Sequence, residues 1–399
     1  MNGGKLPVFY LHRACSILAW QIQFLVIGFH VYAVTGRALD LGLLGLVQFV
    51  PLMLSAPIGG QVADRFDRAK IITACSALGA VGSFGLAASV YLAKTSVTPL
   101  FVIVAGLGAV RSFGAPASQA LLPLLVDRPG LPRAAAISST VWQLCMMIGP
   151  AVGGVLLGAT GRADVVLLVS GVLGLCSLTV SLALPRLGIA GEKKAISREA
   201  LSMGLRFVFT EKLLLGAITL DLFAVLLGGA TALLPVVARD VLHTGPTGLG
   251  VLRAAPAVGA ALTAAVLARF PIERRAGKKL LWSVLGFGAA TVGFGLSTHL
   301  WLSVATLALA GAFDMISVVI RQVIVQLGTP DEMRGRVSSV NMVFIGASNE
   351  LGELESGLAA AWLGAVPAIV AGGVGTMLVV GAVAVAFPKL RATDRLTGT

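Results

Sequence analysis

Residues 60–70 read Gly60-Gln61-Val62-Ala63-Asp64-Arg65-Phe66-Asp67-Arg68-Ala69-Lys70, a short break of dense charge between two long apolar runs, 41–63 and 70–93. Each run is long enough to cross a hydrocarbon core, which takes roughly 20 apolar residues as a helix. A tight charged turn between two such runs predicts an antiparallel pair of membrane spans. Working outward, the same alternation recurs along the chain. Apolar stretches are predicted near 9–35, 41–63, 70–93, 98–125, 133–159, 164–184, 213–238, 246–269, 279–297, 300–327, 337–364 and 366–387.

The composition agrees with that reading. Of 399 residues 57% are hydrophobic and 12% charged, with 49 glycines, whereas a soluble chain carries about a quarter charged residues. Soluble, disordered and fibrous classes are excluded. The stretches are too long and too rich in Leu, Ala and Gly, without alternation, for barrel strands. Each is therefore predicted to be a helix, which satisfies its own backbone hydrogen bonds in lipid. The predicted fold class is an all-α membrane protein of twelve transmembrane helices.

The net charge of +12 would suggest a nucleic-acid partner in a soluble protein. Here most of it follows the rule that basic residues stay on the cytoplasmic side. With the N-terminus inside, 23 of the 30 Lys and Arg residues fall on that side, Arg13 among them, four fall outside, and three lie within spans. Both termini are predicted to be cytoplasmic, with no nucleic acid as partner. The first stretch follows Lys5, exceeds a signal-peptide core and lacks a convincing cleavage site, so it reads as a retained span. The polar insert 185–212 mixes Lys193, Lys194, Arg198 and Arg206 with an apolar run from Leu201 to Phe209, as expected of an amphipathic segment on the inner membrane surface. It separates 1–184 from 213–399. A shift of 200 residues aligns Thr98 with Thr298, Phe113 with Phe313, and Ser138-Ser139 with Ser338-Ser339. Six spans on each side then predict two pseudo-symmetric six-helix bundles, an architecture common in secondary transporters.

The 60–70 break resembles the signature loop of the major facilitator superfamily, G-x-x-x-D-R-x-G-R, with Asp67 where glycine is usual. The fifth span carries Gly149-Pro150-Ala151-Val152-Gly153-Gly154, similar to that superfamily's antiporter motif G-x-x-x-G-P-x-x-G-G, although Cys145 replaces its leading glycine. Pro150 removes a backbone donor, and Gly149, Gly153 and Gly154 make small faces for close helix contact. The segment from Arg111 to Arg133, the loop Pro330 to Val337, the insert around Gly204 and Arg206, and Leu234-Pro235 look like the matching parts of bacterial exporters in the enterobactin exporter and drug:proton antiporter branch. The resemblance implies a proton-coupled exporter of amphiphilic small molecules, such as drugs or siderophores, working by alternating access as a monomer in the cell inner membrane. A lipid or lysolipid flippase-like carrier, or an uptake symporter or uniporter, would share the fold. It also implies a latch: the eleventh span starts near Val337 beside Arg334 and Arg336, and Asp64 would meet the positive end of its dipole. Gly60 leads that motif, while Arg65 and Arg68 extend its charge network.

Ionisable residues inside spans are costly unless they pair, face water or end a helix. Arg111 in the fourth span sits where the superfamily often places an arginine implicated in coupling; otherwise it pairs with an acid of the first, second or eleventh span. In the eleventh span, Glu350 and Glu353 share a face, whereas Glu355 lies about 140° away from Glu350. All three converge only if the helix breaks, which Gly352 and Gly357 would permit. Close carboxylates in a low dielectric resist joint ionisation, so these acids, with Asp314 and Arg111, are proton-coupling candidates. Substrate-cavity candidates are Gln21, Phe24, His30, Trp142, Gln143, Asp221 and Arg321. Asp221 lies nearer the cytoplasmic end, where hydration alone would suffice. With no phosphate-binding loop, isolated cysteines and scattered histidines, no cofactor, metal site or enzymatic activity is expected; small-molecule substrate, protons and lipid are the expected partners.

Overall fold

The computed structural model describes residues 5–92, 96–186, 198–270, 272 and 274–394. All of the long elements are helices: α1 Leu6–Thr35, α2 Ala38–Arg65, α3 Arg68–Leu92, α4 Thr98–Leu121, α5 Leu131–Thr160, α6 Ala163–Ser181, α7 Arg198–Thr210, α8 Lys212–Leu227, α9 Gly245–Arg269, α10 Ala276–Leu296, α11 Leu300–Leu327, α12 Asp331–Leu363, α13 Ala365–Ala386 and α14 Pro388–Ala392. Among the described residues eleven helical segments are long and apolar enough to cross a membrane. The expected span at 337–364 does not meet that composition. It is nevertheless one helix, α12, whose charged residues lower its hydropathy.

The chain divides into two compact units, Met1–Lys193 with Thr244–Ala254, and Lys194–His243 with Ala255–Thr399. The first turns of α9 belong to unit 1 and the rest of that helix to unit 2. The fifth-span glycines account for this exchange. An added Cβ at Gly149 would meet the Gln21 side chain at 2.5 Å, and one at Gly153 would meet Ile22 Cα at 3.3 Å, so this face receives α1. A Cβ at Gly154 would meet Gly250 Cα at 2.6 Å, and Gly158 faces Thr247, so the neighbouring face receives the start of α9. Backbone contact this close is possible only without side chains at those positions.

In unit 1, α1 packs on α5 and α6, α3 on α4 and α6, and α2 on α4. One end is closed by Phe9, Ala63, Ile72, Ala117, Leu121 and Leu125. In unit 2, α10 packs on α11 and α13, and α8 on α12, around Leu214, Leu220, Leu280, Ile320, Ile324 and Val340. The insert contributes α7, whose Val208 is buried in this core while Met203 and Phe209 stay exposed; its 187–197 part lies outside the described residues. The segment after α14 caps α10: Arg275 N donates to Asp394 Oδ1 at 3.1 Å, Ala276 N to the Asp394 carbonyl at 3.2 Å, and Gly277 N to the Thr393 carbonyl at 3.0 Å. Those are the amides that a helix start leaves unpaired.

Two expectations about helix continuity change places. The eleventh span was expected to allow a break at Gly352 or Gly357, but α12 runs unbroken through both. The seventh span, expected as one helix over 213–238, instead stops at Leu227 and continues through Gly228-Gly229, a 3-10 turn at Ala230–Leu233 and a π turn at Val237–Val241. The two facts share a cause. A Cβ at Gly229 would meet the Gly352 carbonyl at 2.8 Å, and one at Gly352 would meet the Val225 carbonyl at 2.8 Å. Gly352 admits the broken end of α8 rather than bending its own helix.

Candidate functional site

A cavity of about 340 Å³ opens inside unit 1 among α1, α3, α4, α5 and α6, within the volume range of small-molecule pockets. From α1 it takes His12, Arg13, Ser16, Trp20 and Gln23, residues that recur along one side of the helix. Opposite them, α4 contributes Arg111, Ser118 and Gln119, and α5 contributes Trp142. Arg111 lies over the Trp20 ring, 4.0 Å from its centroid. Arg13 donates to Ser118 Oγ at 3.5 Å and stands 6.0 Å from the Trp142 ring. Both arginines are thus held against tryptophan faces, where ring quadrupole and cation attract.

The wall behind them is polar and satisfied. Ser83 Oγ donates to Gln23 Oε1 at 2.7 Å. His12 Nδ1 stands 3.1 Å from the Ser177 carbonyl and 2.9 Å from Ser177 Oγ. A carbonyl only accepts, so Nδ1 carries the hydrogen and Nε2 is left as acceptor. Ser177 in turn lies 3.5 Å from Ser76 Oγ.

Of the residues singled out in the sequence, Arg111 and Trp142 line this cavity. Arg13, counted on the cytoplasmic side in the sequence, lies two turns into α1 and lines this cavity. Gln21 is buried between α1 and α5, with Nε2 on Met146 Sδ at 3.0 Å. Phe24 packs on Trp20, with centroids 5.8 Å apart, and under Arg253 at 4.5 Å. His30 and Gln143 are half-buried outside the cavity lining. Sequence reasoning missed His12, Arg13 and Ser118; the spacing of His12, Arg13, Ser16, Trp20 and Gln23 on α1 was the available signal.

A second polar cluster lies in unit 2. Arg321 Nη1 donates to Asp221 Oδ1, and both side chains are buried. Hydration at a helix end therefore does not explain Asp221; its counterion is Arg321. Asp314, two turns before Arg321 on the same face of α11, lies within electrostatic reach of both. Glu350, Glu353 and Glu355 are half-buried on the continuous α12, where Glu355 points away from the face that Glu350 and Glu353 share, with Ser356 Oγ 3.5 Å from Glu355 Oε2.

At the 60–70 turn, Asp67 Oδ1 accepts from Ala69 N at 2.9 Å and Lys70 N at 3.2 Å. It is the N-cap of α3, which explains an aspartate where the superfamily signature has glycine. Arg65 is exposed, Arg68 is buried, and Gly60 faces open space. The latch side chains Asp64, Arg334 and Arg336 lie outside the described residues. Among the described residues no group of three His, Cys, Asp or Glu is placed to hold a metal ion.

The model of the transmembrane secretion effector family matches residues 8–398. The chain belongs to that family, within the major facilitator superfamily. It is a multi-pass membrane transporter. The enterobactin exporter EntS of Escherichia coli O9:H4 (strain HS) is 28% identical over 336 residues, covering 83% of this chain and 79% of the relative, and EntS of Escherichia fergusonii matches equally. Solved structures share the fold at low identity. A POT family transporter in complex with 5-aminolevulinic acid superposes with a TM-score of 0.78 at 11% identity, covering 96% of each chain. The nucleoside transporter NupG gives 0.73 at 13% identity, covering 98% of this chain and all of its own.

Proposed function

We propose that this protein exports amphiphilic small molecules from the cytoplasm in exchange for protons, by alternating access of two related halves. The observation that carries the reading is the cavity of unit 1. It offers two tryptophan faces, two guanidinium groups and a satisfied polar wall, the mix that holds a ligand with both apolar and polar parts. The direction is supported by the exporter named among its relatives and by the Gly149-Pro150-Gly153-Gly154 motif, whose faces receive α1 and α9. Protons would be carried by Asp314, the second carboxyl beside the Asp221–Arg321 pair, together with Glu350 and Glu353 of α12. Asp64, Arg65, Arg68, Arg334 and Arg336 would latch the cytoplasmic side. The protein would act as a monomer in the bacterial inner membrane with both termini inside.

The test is transport by the purified protein in liposomes with an internal pH-sensitive dye, across cationic, neutral and anionic amphiphiles. Substrate-dependent proton movement is expected, and Asp314→Asn should abolish it while leaving substrate binding. Proton movement that survives Asp314→Asn combined with Glu350→Gln and Glu353→Gln would overturn the coupling. Substrate flux with no proton movement under any condition would leave a uniporter.

A further inference from the structure

We infer that the substrate is an aromatic anion, whose acidic group is held by Arg13 and whose ring lies against Trp142. This deepens the proposed export function and rests on it for the word substrate. Arg13 reaches the cavity with most of its hydrogen-bonding capacity unused. Its hydrogen bond among the described residues goes to Ser118 Oγ at the long distance of 3.5 Å, its Nε is buried without an acceptor, and it forms no ion pair with a described carboxylate. A guanidinium presents five donors in a planar fork that matches a carboxylate or phosphate. Left in a cavity of low dielectric without an anion, such a group forfeits hydration that nothing on the protein replaces.

The surroundings select the sign of the ligand. Among the described residues no aspartate or glutamate lines the cavity, while Arg13 presents a guanidinium there. A cation entering beside Arg13 would meet repulsion and, among the described lining residues, no counterion. Asp221 and Asp314 belong to unit 2. The surroundings also select an aromatic body. Trp142 keeps 37% of its surface exposed and stands beside Arg13, so it offers aromatic surface next to the anion site. Phenolates, aryl carboxylates, sulfonates and phosphates share this chemistry.

The experiment uses three naphthalene probes of nearly equal size, 2-naphthoate, 2-naphthamide and 2-naphthylmethylammonium, in equilibrium dialysis against the full-length protein in detergent. Saturable binding of 2-naphthoate at least about tenfold tighter than of the other two, about 1.4 kcal/mol, is expected. Arg13→Gln should remove that preference and leave 2-naphthamide binding in place. Arg13→Lys should retain part of it, because charge survives without the fork. Ser118→Asp, which puts a carboxylate beside Arg13, should remove the preference without removing the arginine and serves if Arg13→Gln does not fold. Trp142→Leu should weaken both naphthoate and naphthamide, and Trp142→Phe less so. Equal or tighter binding of the ammonium probe, absence of saturable 2-naphthoate binding at millimolar concentration, or an anion preference intact in both Arg13→Gln and Ser118→Asp would overturn the inference. The liposome assay separates the two claims. Proton-coupled flux of cationic or neutral amphiphiles only would sink the anion site and keep the exporter, whereas anion-selective binding without proton movement would do the reverse.

Discussion

Arg321 and Asp221 illustrate how a buried charge depends on its partner. Both are buried and hydrogen-bonded to each other, and removing one member of such a pair strands the other, at about 3–5 kcal/mol. Asp221→Ala and Arg321→Met are each expected to lower the melting temperature in detergent sharply. The double variant should recover most of the loss, which a double-mutant cycle followed by thermal unfolding measures; additive losses would mean that the pair is not coupled. Asp67 gives a smaller effect with a sharper chemical contrast. As N-cap of α3, Asp67→Ala should cost about 0.5–2 kcal/mol, and Asp67→Gly only a few tenths. Thermal unfolding of the two variants side by side checks the order. The cap was readable from Asp67 preceding Arg68-Ala69-Lys70, and the charge count was readable residue by residue. The pairing of Asp221 with Arg321 was not, because 100 residues separate them and only the packing of α8 against α11 brings them together.

At the level of the helix, glycines decide which elements approach and which bend. Gly154→Val would drive a side chain into the Gly250 backbone, and overpacking of this kind costs about 1–3 kcal/mol. Loss of transport with lowered thermal stability is expected there. Gly60→Ala, which meets open space, should leave stability unchanged; equal sensitivity at both positions would contradict the close α5–α9 contact. The cap of α10 by Thr393 and Asp394 gives a further expectation. Asp394→Ala should destabilise unit 2 by about 0.5–2 kcal/mol, seen as faster amide exchange at the start of α10 with transport otherwise retained. The paired small faces of the Gly149–Gly158 stretch were visible as spacing alone. Which span would break was not: Gly352 and Gly228-Gly229 are equally permissive as sequence, and the close fit of α8 against α12 breaks the former's partner and keeps α12 straight.

Across the whole molecule, lipid is the solvent that the exterior expects. Leu54, Val81 and Trp362 are 74%, 68% and 87% exposed, which would be intolerable in water as a continuous surface and is ordinary in a bilayer. Topology reporters fused after residues 95, 161, 190 and 399 test the orientation: the first two are expected outside, the last two in the cytoplasm. Any other pattern would reverse the charge reading. Membrane residence and the apolar helices followed from composition and from runs of sufficient length, local properties that lipid and backbone hydrogen bonding impose on contiguous residues, while the superfamily was legible in the resemblance of the turn at 60–70 to its signature loop. The place of the cavity, the presence of Arg13 in its lining, and the pairing of Arg321 with Asp221 arose only once the helices were packed. A helix exposes residues in every direction, so its sequence states which side chains are polar, and only its neighbours decide whether each one meets lipid, a partner or a ligand.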